Sequence, residues 1–316
     1  MARTVFVTGA AGFIGQHVVR RFADAGWNVK AGVRDSLDGQ QDDRFHIVPM
    51  GDMTAVDDWT PILSGSDVVV HLAARAHKTA ESAGDGAELF RKVNVEATLN
   101  LARGAARARV KRFVFLSSAG VMGDFTDRPK RETDAPRPVS QYAVSKLEAE
   151  TQLRAFCESV DMELVIFRPT LVYGEGNPGN LERLIKLIKL GIPLPFGRAQ
   201  NRRSLLGVGH LAEVILKAAE LPGLDGEVFL VADGDDVTTA DIVRCLAQGC
   251  GRKVTLIGVP LSLLRLVGKA AGKSAEIEKL FGSFQVDTAK KRAVFGDVSR
   301  EETMRGLVAA GRSSNA

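Results

Sequence analysis

The first half of the chain alternates short apolar segments with longer segments of helical periodicity. The short segments are β-branched or apolar at nearly every position, which is typical of parallel strands covered on both faces. The longer segments repeat apolar residues at intervals of three and four, as amphipathic helices do. This alternation predicts an α/β fold with a doubly wound parallel sheet of Rossmann type. The predicted strands are Thr4–Thr8, Asn28–Val33, Phe45–Val48, Val68–Leu72, Phe113–Ser117 and Leu164–Phe167, and the predicted helices are Ile14–Ala25, Ala87–Ala108 and Gln141–Val160.

The pattern changes after Pro169. Turn residues become frequent, and the remainder from Thr239 is mostly helical in its periodicity. We expect residues 1–173 to form one domain and residues 174–316 to form a smaller, mostly helical second domain. Residues 203–231 are expected to return to the sheet of the first domain. The elements predicted in this part are a helix at Leu181–Leu190 and strands at Ser204–Val208, Val228–Val231 and Lys253–Ile257.

The charge of the chain is nearly balanced, with 42 Lys and Arg against 38 Asp and Glu, which gives a formal net charge of +4. The cations are scattered, and aromatic residues make up only 6% of the chain. The sequence therefore lacks the stacking surfaces that bind single-stranded nucleic acids. A mildly positive field suits a phosphorylated small molecule. We expect such a ligand and no nucleic-acid partner.

Cysteine usage and apolar patterning indicate a cytoplasmic protein without a membrane span. The three cysteines form no CxxC motif, so we expect neither a disulfide framework nor a metal site. The N-terminus lacks the layout of a signal peptide, and each apolar stretch is too short to cross a bilayer. The most apolar helical segment is Val259–Ala271. We interpret it as a packed helix or a partner-binding face, with contact to a membrane surface as the less favoured alternative.

A glycine-rich turn follows the first predicted strand. Gly9 would permit a tight turn, Gly12 would let the backbone approach a pyrophosphate, and Gly15 would let the following helix pack against the strand. Phe13 and Ile14 open that helix, so their N–H groups face the position where a phosphate would lie. The simpler alternative is an ordinary glycine-rich strand-to-helix turn. The position of the motif between a strand and a helix favours dinucleotide binding.

The ends of the second and third strands carry charged residues that could distinguish two nicotinamide cofactors. An Arg at the second strand end can pair with the 2′-phosphate of NADP(H), whereas an acidic residue accepts hydrogen bonds from the ribose of NAD(H). Arg34 precedes Asp35, which slightly favours NADP(H) over NAD(H). Asp52 and Met53 follow the third strand, where Asp52 could accept from the adenine amino group or cap a local turn.

Tyr142 and Lys146 are four residues apart in a predicted helix, so they lie on one face, one turn apart. A phenol has an ordinary pKa of about 10, and a nearby ammonium group and a positive nicotinamide ring would both favour the phenolate. Ser118 follows the fifth predicted strand and could hydrogen-bond the same reacting oxygen. These residues suit general acid–base catalysis at an alcohol or a ketone. The simpler alternative for the Tyr–Lys spacing alone is a surface pair.

Several segments together resemble the extended short-chain dehydrogenase/reductases, in the nucleotide-sugar epimerase/dehydratase branch. They occur in the family's order and span nearly the whole chain. A later segment, NRRSLLGVGHLAEVI, is similar to the family region that carries a phosphate-binding arginine. The matching segments are TGAAGFIG at Thr8–Gly15, HLAA at His71–Ala74, Asn94 in VNVEATLNL, LSSAGVMG at Leu116–Gly123, YAVSK at Tyr142–Lys146 and RPTLVYG at Arg168–Gly174.

The resemblance implies roles for individual residues. It makes residues 1–173 the dinucleotide-binding domain and residues 174–316 the domain that binds a nucleotide sugar. It also implies a homodimer formed through two of the helices. The implied catalytic residues are Ser118, Tyr142 and Lys146, with Asn94 as their support. Ala73 and Ala74 would line the cofactor ribose, and Lys146 would also hold a ribose hydroxyl. Arg203 (or Arg202) would pair with a substrate phosphate, and Asn180 would lie near the nucleotide base.

One departure from the family narrows the expected reaction. Related 4,6-dehydratases carry an Asp-Glu pair directly after the catalytic hydroxyl residue, where this chain has Ala119 and Gly120. Neither residue can transfer a proton, so dehydration is not expected. The small side chains leave room for an N-acetyl group at C2 of the sugar.

Three functions remain open on the sequence. The first is reduction of a 4-keto sugar by NADPH, on a UDP-hexose or UDP-N-acetylhexosamine, which Arg34 slightly favours. The second is 4-epimerisation of a UDP-sugar by transient oxidation with bound NAD. The third is a cofactor-binding regulator without turnover, and the complete set of Ser118, Tyr142 and Lys146 argues against it.

Overall fold

The computed structural model of the chain describes residues 2–35, 44–76, 86–177, 180–270, 272 and 274–312. The strands are β1 (Thr4–Thr8), β2 (Asn28–Val33), β3 (His46–Pro49), β4 (Val68–His71), β5 (Arg112–Leu116), β6 (Glu163–Pro169), β7 (Leu171–Tyr173), β8 (Leu205–Gly207) and β9 (Val228–Val231). The helices are α1 (Phe13–Asp24), α2 (Thr60–Leu63), α3 (Gly86–Arg91), α4 (Ala97–Arg107), α5 (Gln141–Cys157), α6 (Asn180–Lys189), α7 (Val208–Glu220), α8 (Thr239–Gly249), α9 (Leu261–Ala270), α10 (Ser274–Phe281), α11 (Ala289–Phe295) and α12 (Arg300–Arg312).

Seven of these strands form one sheet in the order β3-β2-β1-β4-β5-β6-β9. The strand pairs from β3 across to β6 are parallel. Successive strands are added toward one edge of the sheet from β1 to β3 and toward the other edge from β4 onward, and this switch point between β1 and β4 is where open α/β sheets bind their ligands. The predicted Rossmann-type fold is confirmed.

Two predicted elements differ from the structure. The predicted helix Ala87–Ala108 is divided into α3 and α4 by a π-helical turn at Lys92–Glu96. The predicted strand Lys253–Ile257 is reduced to a single bridge between Leu194 and Leu256. Its partner segment is short because the chain turns from Pro195 onward, directly after Leu194.

The chain divides into two compact units. The first contains Met1–Gly123, Ala135–Pro169 and Leu211–Phe229, and the second contains Asp124–Asp134, Thr170–His210 and Leu230–Ala316. The returning segment, 211–229, lies inside the predicted 203–231, and residues 124–134 join the second unit. The expectation that 203–231 as a whole returns to the first sheet is wrong for β8, which pairs with β7 in a separate two-stranded sheet, whereas β9 does join the seven-stranded sheet. The roles predicted for the two domains remain predictions.

The core of the first unit is aromatic and tightly packed beside the sheet. Phe6, Trp59, Phe113 and Phe115 are fully buried there. A Cβ atom at Gly104 would lie 2.3 Å from the Cβ of Trp59, so α4 approaches the indole closely only because this position is glycine. Close packing of this kind holds the carboxyl ends of β1, β4 and β5 in fixed positions.

In the second unit, α8 and α12 pack at short range. A Cβ atom at Gly249 would lie 2.1 Å from the carbonyl oxygen of Val308, so a larger residue would separate the two helices. The N–H of Phe284 donates to the Arg202 carbonyl and its carbonyl accepts the N–H of Ser204, which connects residues 281–286 to the segment at 202–204 within this unit. None of the helices within the described ranges combines the length and the apolar composition that a bilayer crossing requires.

Candidate active site

The turn after β1 is built by glycine at positions where other residues would not fit. Gly9 has φ +69°, and a Cβ there would lie 3.0 Å from the backbone nitrogen of Ala73. A Cβ at Gly15 would lie 2.0 Å from the carbonyl oxygen of Gly9. The Gly12 N–H donates to that same carbonyl at 3.0 Å, which closes the turn. The backbone of the turn therefore lies close to the residues after β4 and to the first turn of α1, in space that a Cβ atom would otherwise occupy.

The start of α1 suits a pyrophosphate group. Gly12 is the extended residue before the helix, and within the described chain no side chain caps this helix start. The first N–H groups of α1, including those of Phe13 and Ile14, consequently face outward at the positive end of the helix dipole. An anion satisfies these donors without further side chains. The residues present thus fit the dinucleotide that the sequence predicted.

The strand-end residues predicted to hold the rest of the cofactor lie at the same edge of the sheet. Arg34 and Asp52 are exposed, and Met53 is buried in the core. The Asp52 carboxylate accepts the N–H of Thr54 at 2.9 Å, and this hydrogen bond lowers the pKa of Asp52. Asp52 therefore caps the local turn, which is the second of the two roles predicted for it. Contact with adenine stays a prediction, as does the discrimination between NADP(H) and NAD(H) by Arg34.

A directed chain of hydrogen bonds fixes the loop after β4. The N–H of Ala73 donates to Oγ1 of Thr8 at 3.2 Å, and the Thr8 hydroxyl lies 2.7 Å from Nδ1 of His71. Nε2 of His71 lies 2.8 Å from Oγ1 of Thr98, whose hydroxyl donates to the Asn94 carbonyl at 2.9 Å. Because the Thr98 proton is already committed, Nε2 of His71 must donate and Nδ1 must accept. Burial, with a smaller contribution from the Lys146 charge, lowers the His71 pKa to about 3, in keeping with this neutral form.

Asn94 connects that loop to α5. Its Oδ1 accepts the N–H of Arg75 at 2.8 Å, and its Nδ2 donates to the Arg75 carbonyl and to Oγ of Ser145, at 3.1 and 3.0 Å. Asn94 lies in the π-helical turn and is buried. Such turns occur frequently at functional sites. The Ser145 hydroxyl in turn donates to the Tyr142 carbonyl, so Asn94 supports the backbone that carries the tyrosine.

Tyr142 lies in the first turn of α5. The Ser140 side chain accepts the N–H of Ala143 at 3.1 Å and so fixes where the helix begins. The ring of Tyr142 packs edge-on against Phe90 with centroids 6.4 Å apart. The positive end of the helix dipole favours a phenolate at this position.

Ser118 follows β5 and starts a short 3-10 turn at Ala119–Met122. Its Oγ accepts the N–H of Gly120 at 3.1 Å, which leaves the hydroxyl proton available for a ligand. A Cβ at Gly120 would lie 3.2 Å from Ser118 Oγ and 3.9 Å from the Ala143 Cβ. Ser118 therefore lies beside the first turn of α5, where Tyr142 is located.

Lys146 is 1% exposed, one turn after Tyr142 on α5. Its Nζ lies 4.0 Å from the centre of the Phe115 ring, a cation–π geometry. The His71 ring stacks against Phe115 with centroids 5.8 Å apart. Burial lowers the Lys146 pKa to about 7, and Glu150 partly opposes that effect. Burial therefore weakens the hold of Lys146 on its proton.

The expected lowering of the Tyr142 pKa is not a property of the protein chain alone. Burial raises that pKa to about 12, because the low-dielectric surroundings disfavour the phenolate. Two positive groups could oppose this effect of burial, the Lys146 ammonium and the nicotinamide ring of a bound cofactor. Because burial also lowers the pKa of Lys146, we expect the bound cofactor to be needed for the lowering of the Tyr142 pKa.

Sequence reasoning missed a buried ion pair one turn beyond Lys146. Glu150 accepts hydrogen bonds from Arg168 on β6 and from the hydroxyl of Ser117. Glu150 and Arg168 are 2% and 5% exposed. The spacing of four residues from Lys146 to Glu150 was visible in the sequence, but spacing alone does not distinguish a buried carboxylate from an exposed one.

Of the residues predicted to bind the substrate, Ser118 lies in the first unit, whereas Asn180 and Arg203 lie in the second. Nη1 of Arg203 donates to the Gly282 carbonyl at 3.1 Å, and burial lowers the Arg203 pKa. Arg202 is exposed. Asn180 begins α6, and its side chain lies outside the described atoms. The phosphate and base contacts assigned to these residues stay predictions. Within the described chain, no group of three or more His, Cys, Asp or Glu side chains is arranged to hold a metal ion.

Comparisons with known proteins agree with this geometry. Residues 5–232 match the model of the NAD dependent epimerase/dehydratase family. The chain is 38% identical over 300 residues to the UDP-glucose 4-epimerase of Vibrio cholerae, covering 94% of this chain and 90% of the relative. It is 30% identical over 305 residues to the N-acetyl-alpha-D-glucosaminyl-diphospho-ditrans,octacis-undecaprenol 4-epimerase of Escherichia coli O157:H7, covering 92% and 89%.

A solved structure has the same fold over nearly its whole length. MoeE5 in complex with UDP-glucuronic acid and NAD is 26% identical, with a TM-score of 0.77 and coverage of 98% of both chains. The predicted nicotinamide cofactor is confirmed by the family's NAD dependence. With the glycine turn, Ser118, Tyr142 and Lys146 in the positions described, the chain belongs to the NAD dependent epimerase/dehydratase family of extended short-chain dehydrogenase/reductases.

Proposed function

We propose that the protein is a UDP-sugar 4-epimerase that uses NAD. The similarity to the Vibrio cholerae UDP-glucose 4-epimerase, at 38% identity over 94% of the chain, carries this proposal. The relative from Escherichia coli is also named a 4-epimerase. Together these two relatives favour epimerisation over the NADPH-dependent reduction of a 4-keto sugar, the reaction that Arg34 slightly favours.

The glycine turn and the start of α1 would hold the pyrophosphate of NAD, and Lys146 would hold its ribose. When bound, NAD would supply reversible hydride transfer at C4 of the sugar, which permits return of the hydride to either face of the 4-keto intermediate of the sugar. Tyr142 takes the proton of the C4 hydroxyl and later gives it back. The Ser118 hydroxyl donates a hydrogen bond to the same oxygen and stabilises developing negative charge there.

The residues after Ser118 support redox chemistry without loss of water. Ala119 is buried, and neither it nor Gly120 carries an ionisable group. An elimination would need a further acid and base at this place. The diphosphate of the substrate is assigned to Arg203, with Arg202 as the alternative. A homodimer and a cytoplasmic location remain parts of this proposal.

Deuterium at C4 of the substrate separates the two redox reactions. UDP-glucose and UDP-N-acetylglucosamine labelled at C4 are incubated with the purified protein without added NADPH, and the sugars are followed by NMR. We expect conversion to the galacto epimers with the label retained, because the hydride is returned to the same molecule. Turnover of a UDP-4-keto-6-deoxy sugar that strictly requires NADPH, with no epimer formed, would instead establish the reductase.

A further inference from the structure

The segment 251–275 differs from the rest of the chain in its charge. It contains five cations and no acidic residue, whereas the whole chain has 42 basic residues against 38 acidic ones. Valine, leucine and isoleucine occupy much of the remainder, including α9. A strongly basic segment that is also apolar is typical of elements that lie on a membrane surface. The cations are Arg252, Lys253, Arg265, Lys269 and Lys273.

Large apolar side chains of this region are exposed. On α9, Leu263 is 50% exposed and Leu266 is 66% exposed, and Ile257 before the helix is 44% exposed. A second exposed pair, Leu190 and Ile192, is 69% and 48% exposed. Single exposed apolar residues are common, so these five carry an argument only through the segments on which they lie.

The segment that carries Leu190 and Ile192 is hydrogen-bonded to the segment that carries Ile257 and precedes α9, and both belong to the second unit. The N–H of Leu194 donates to the Thr255 carbonyl, and the N–H of Ile257 donates to the Leu194 carbonyl, both at 2.9 Å. Ile192 therefore precedes, and Ile257 follows, the point where the two segments bridge. We call the group Leu190, Ile192, Ile257, Leu263 and Leu266 the α9 surface.

Cations accompany the α9 surface. Arg252, Lys253 and Lys269 are exposed, and no carboxylate partner is found for them within the residues that the structure describes. Arg265 differs, because it donates to both carboxylate oxygens of Glu278 at 2.6 and 3.1 Å. Exposed cations of this kind gain further favourable energy where an external anion approaches.

We propose that the second unit docks on an anionic lipid bilayer through the α9 surface. The leucine and isoleucine side chains enter the boundary between headgroups and acyl chains, and the cations meet the lipid phosphates. A second copy of the chain is a poorer occupant. A two-fold interface would bring the same basic residues of both copies together, and like charges there oppose association.

Co-sedimentation with vesicles tests the proposal on the full chain. Vesicles of equal parts phosphatidylglycerol and phosphatidylcholine are compared with vesicles of phosphatidylcholine alone, at low and raised salt. We expect binding to the anionic vesicles, loss of most binding without phosphatidylglycerol, and weakening by salt. Each substitution Lys253→Glu or Lys269→Glu should lower the partition coefficient by about fivefold or more.

The double variant Leu263→Ser with Leu266→Ser tests the apolar part. We expect at least about a tenfold loss of vesicle binding, because two exposed leucines no longer leave water. Val294→Ser is the matched control, since Val294 is 38% exposed on α11 of the same unit. Melting temperature and NAD binding of each variant establish that it is folded.

Two results would overturn the proposal. One is the absence of binding to phosphatidylglycerol vesicles, or binding that the leucine and lysine variants leave unchanged. The other is a wild-type dimer, seen by sedimentation velocity, that becomes a monomer in the leucine variant while vesicles are not bound; the α9 surface would then belong to a second copy. Epimerase activity is not a readout here, so failure of the proposed function leaves this test intact.

Discussion

Nε and Nη2 of Arg168 donate hydrogen bonds to both carboxylate oxygens of Glu150, at distances from 2.6 to 3.2 Å, with both side chains buried. The pair connects β6 to α5, the helix that carries Tyr142 and Lys146. A buried carboxylate that loses its partner has no solvent to replace it. The pair therefore acts on the position of α5 as well as on stability.

Substitution Arg168→Met should lower the free energy of unfolding by about 3–5 kcal/mol, because it leaves the Glu150 charge buried and unpaired. Urea denaturation measures the change. The double variant Arg168→Met with Glu150→Gln should be less destabilised than the single one. For the exposed pair of Arg305 and Glu301, Arg305→Met should cost less than about 1 kcal/mol. Equal losses at the two arginines would contradict the assignment.

Substitution Tyr142→Phe should reduce kcat by about 10²–10⁴-fold, because it removes the acid–base while keeping the ring against Phe90. Steady-state kinetics on the UDP-sugar measures the loss. Tyr173, the second of the two tyrosines, donates to Asp233 at 2.7 Å in the second unit. Tyr173→Phe should lower the melting temperature and leave the chemical step intact. Near-normal turnover in Tyr142→Phe would refute its catalytic role.

Substitution Gly15→Ala should abolish NAD binding, because its Cβ would lie 2.0 Å from the Gly9 carbonyl oxygen and would push α1 away from the turn. Isothermal titration with NAD measures the affinity. Gly209→Ala is the control: it lies in helix α7, and its Cβ would meet no atom within 4 Å. Unchanged affinity in Gly15→Ala, with the fold preserved, would mean that the dinucleotide binds elsewhere.

Acid should destabilise the protein through His71. Its pKa is about 3 in the folded chain against 6.5 ordinarily, so between these values the unfolded chain binds more protons. The stability from the neutral ring is full above pH 6.5 and is lost as the pH falls toward 3, with a limiting slope of about 1.4 kcal/mol per pH unit. Urea unfolding at several pH values measures the slope. His71→Gln should be less stable at neutral pH but show a shallower acid slope; identical slopes would exclude His71 as the cause.

The sheet and the glycine turn could be predicted because their signals are local. β1 and β2 begin and end at the predicted residues, since runs such as TVFVT are apolar on both faces and end at glycine or charge. The π-helical turn could not be predicted, because apolar spacing of three and four is compatible with either helix type. The short pairing of Leu256 depended on a turn sixty residues earlier in the chain, which no local pattern reports.

The candidate site was predictable in its residue types and not in its electrostatics. Ser118, Tyr142 and Lys146 follow recognisable spacings, but their charge states depend on how deeply the fold buries them. Burial beside Phe115 lowers the pKa of Lys146, which no spacing rule could indicate. Likewise, the neutral state of His71 follows from hydroxyl partners contributed by β1 and α4.

The π-helical turn at Lys92–Glu96 makes chain length itself a determinant of the active site. Removing a single residue there other than Asn94 would let α3 and α4 join into one regular helix, a change that ordinary helix propensity would favour. The residues on one side of the deletion would rotate by about 100° relative to those on the other. Asn94 would then lose Arg75 and Ser145 together, although no side chain of the catalytic set had been altered. The number of residues in this turn therefore determines where Asn94 lies, in addition to the identity of the residues themselves.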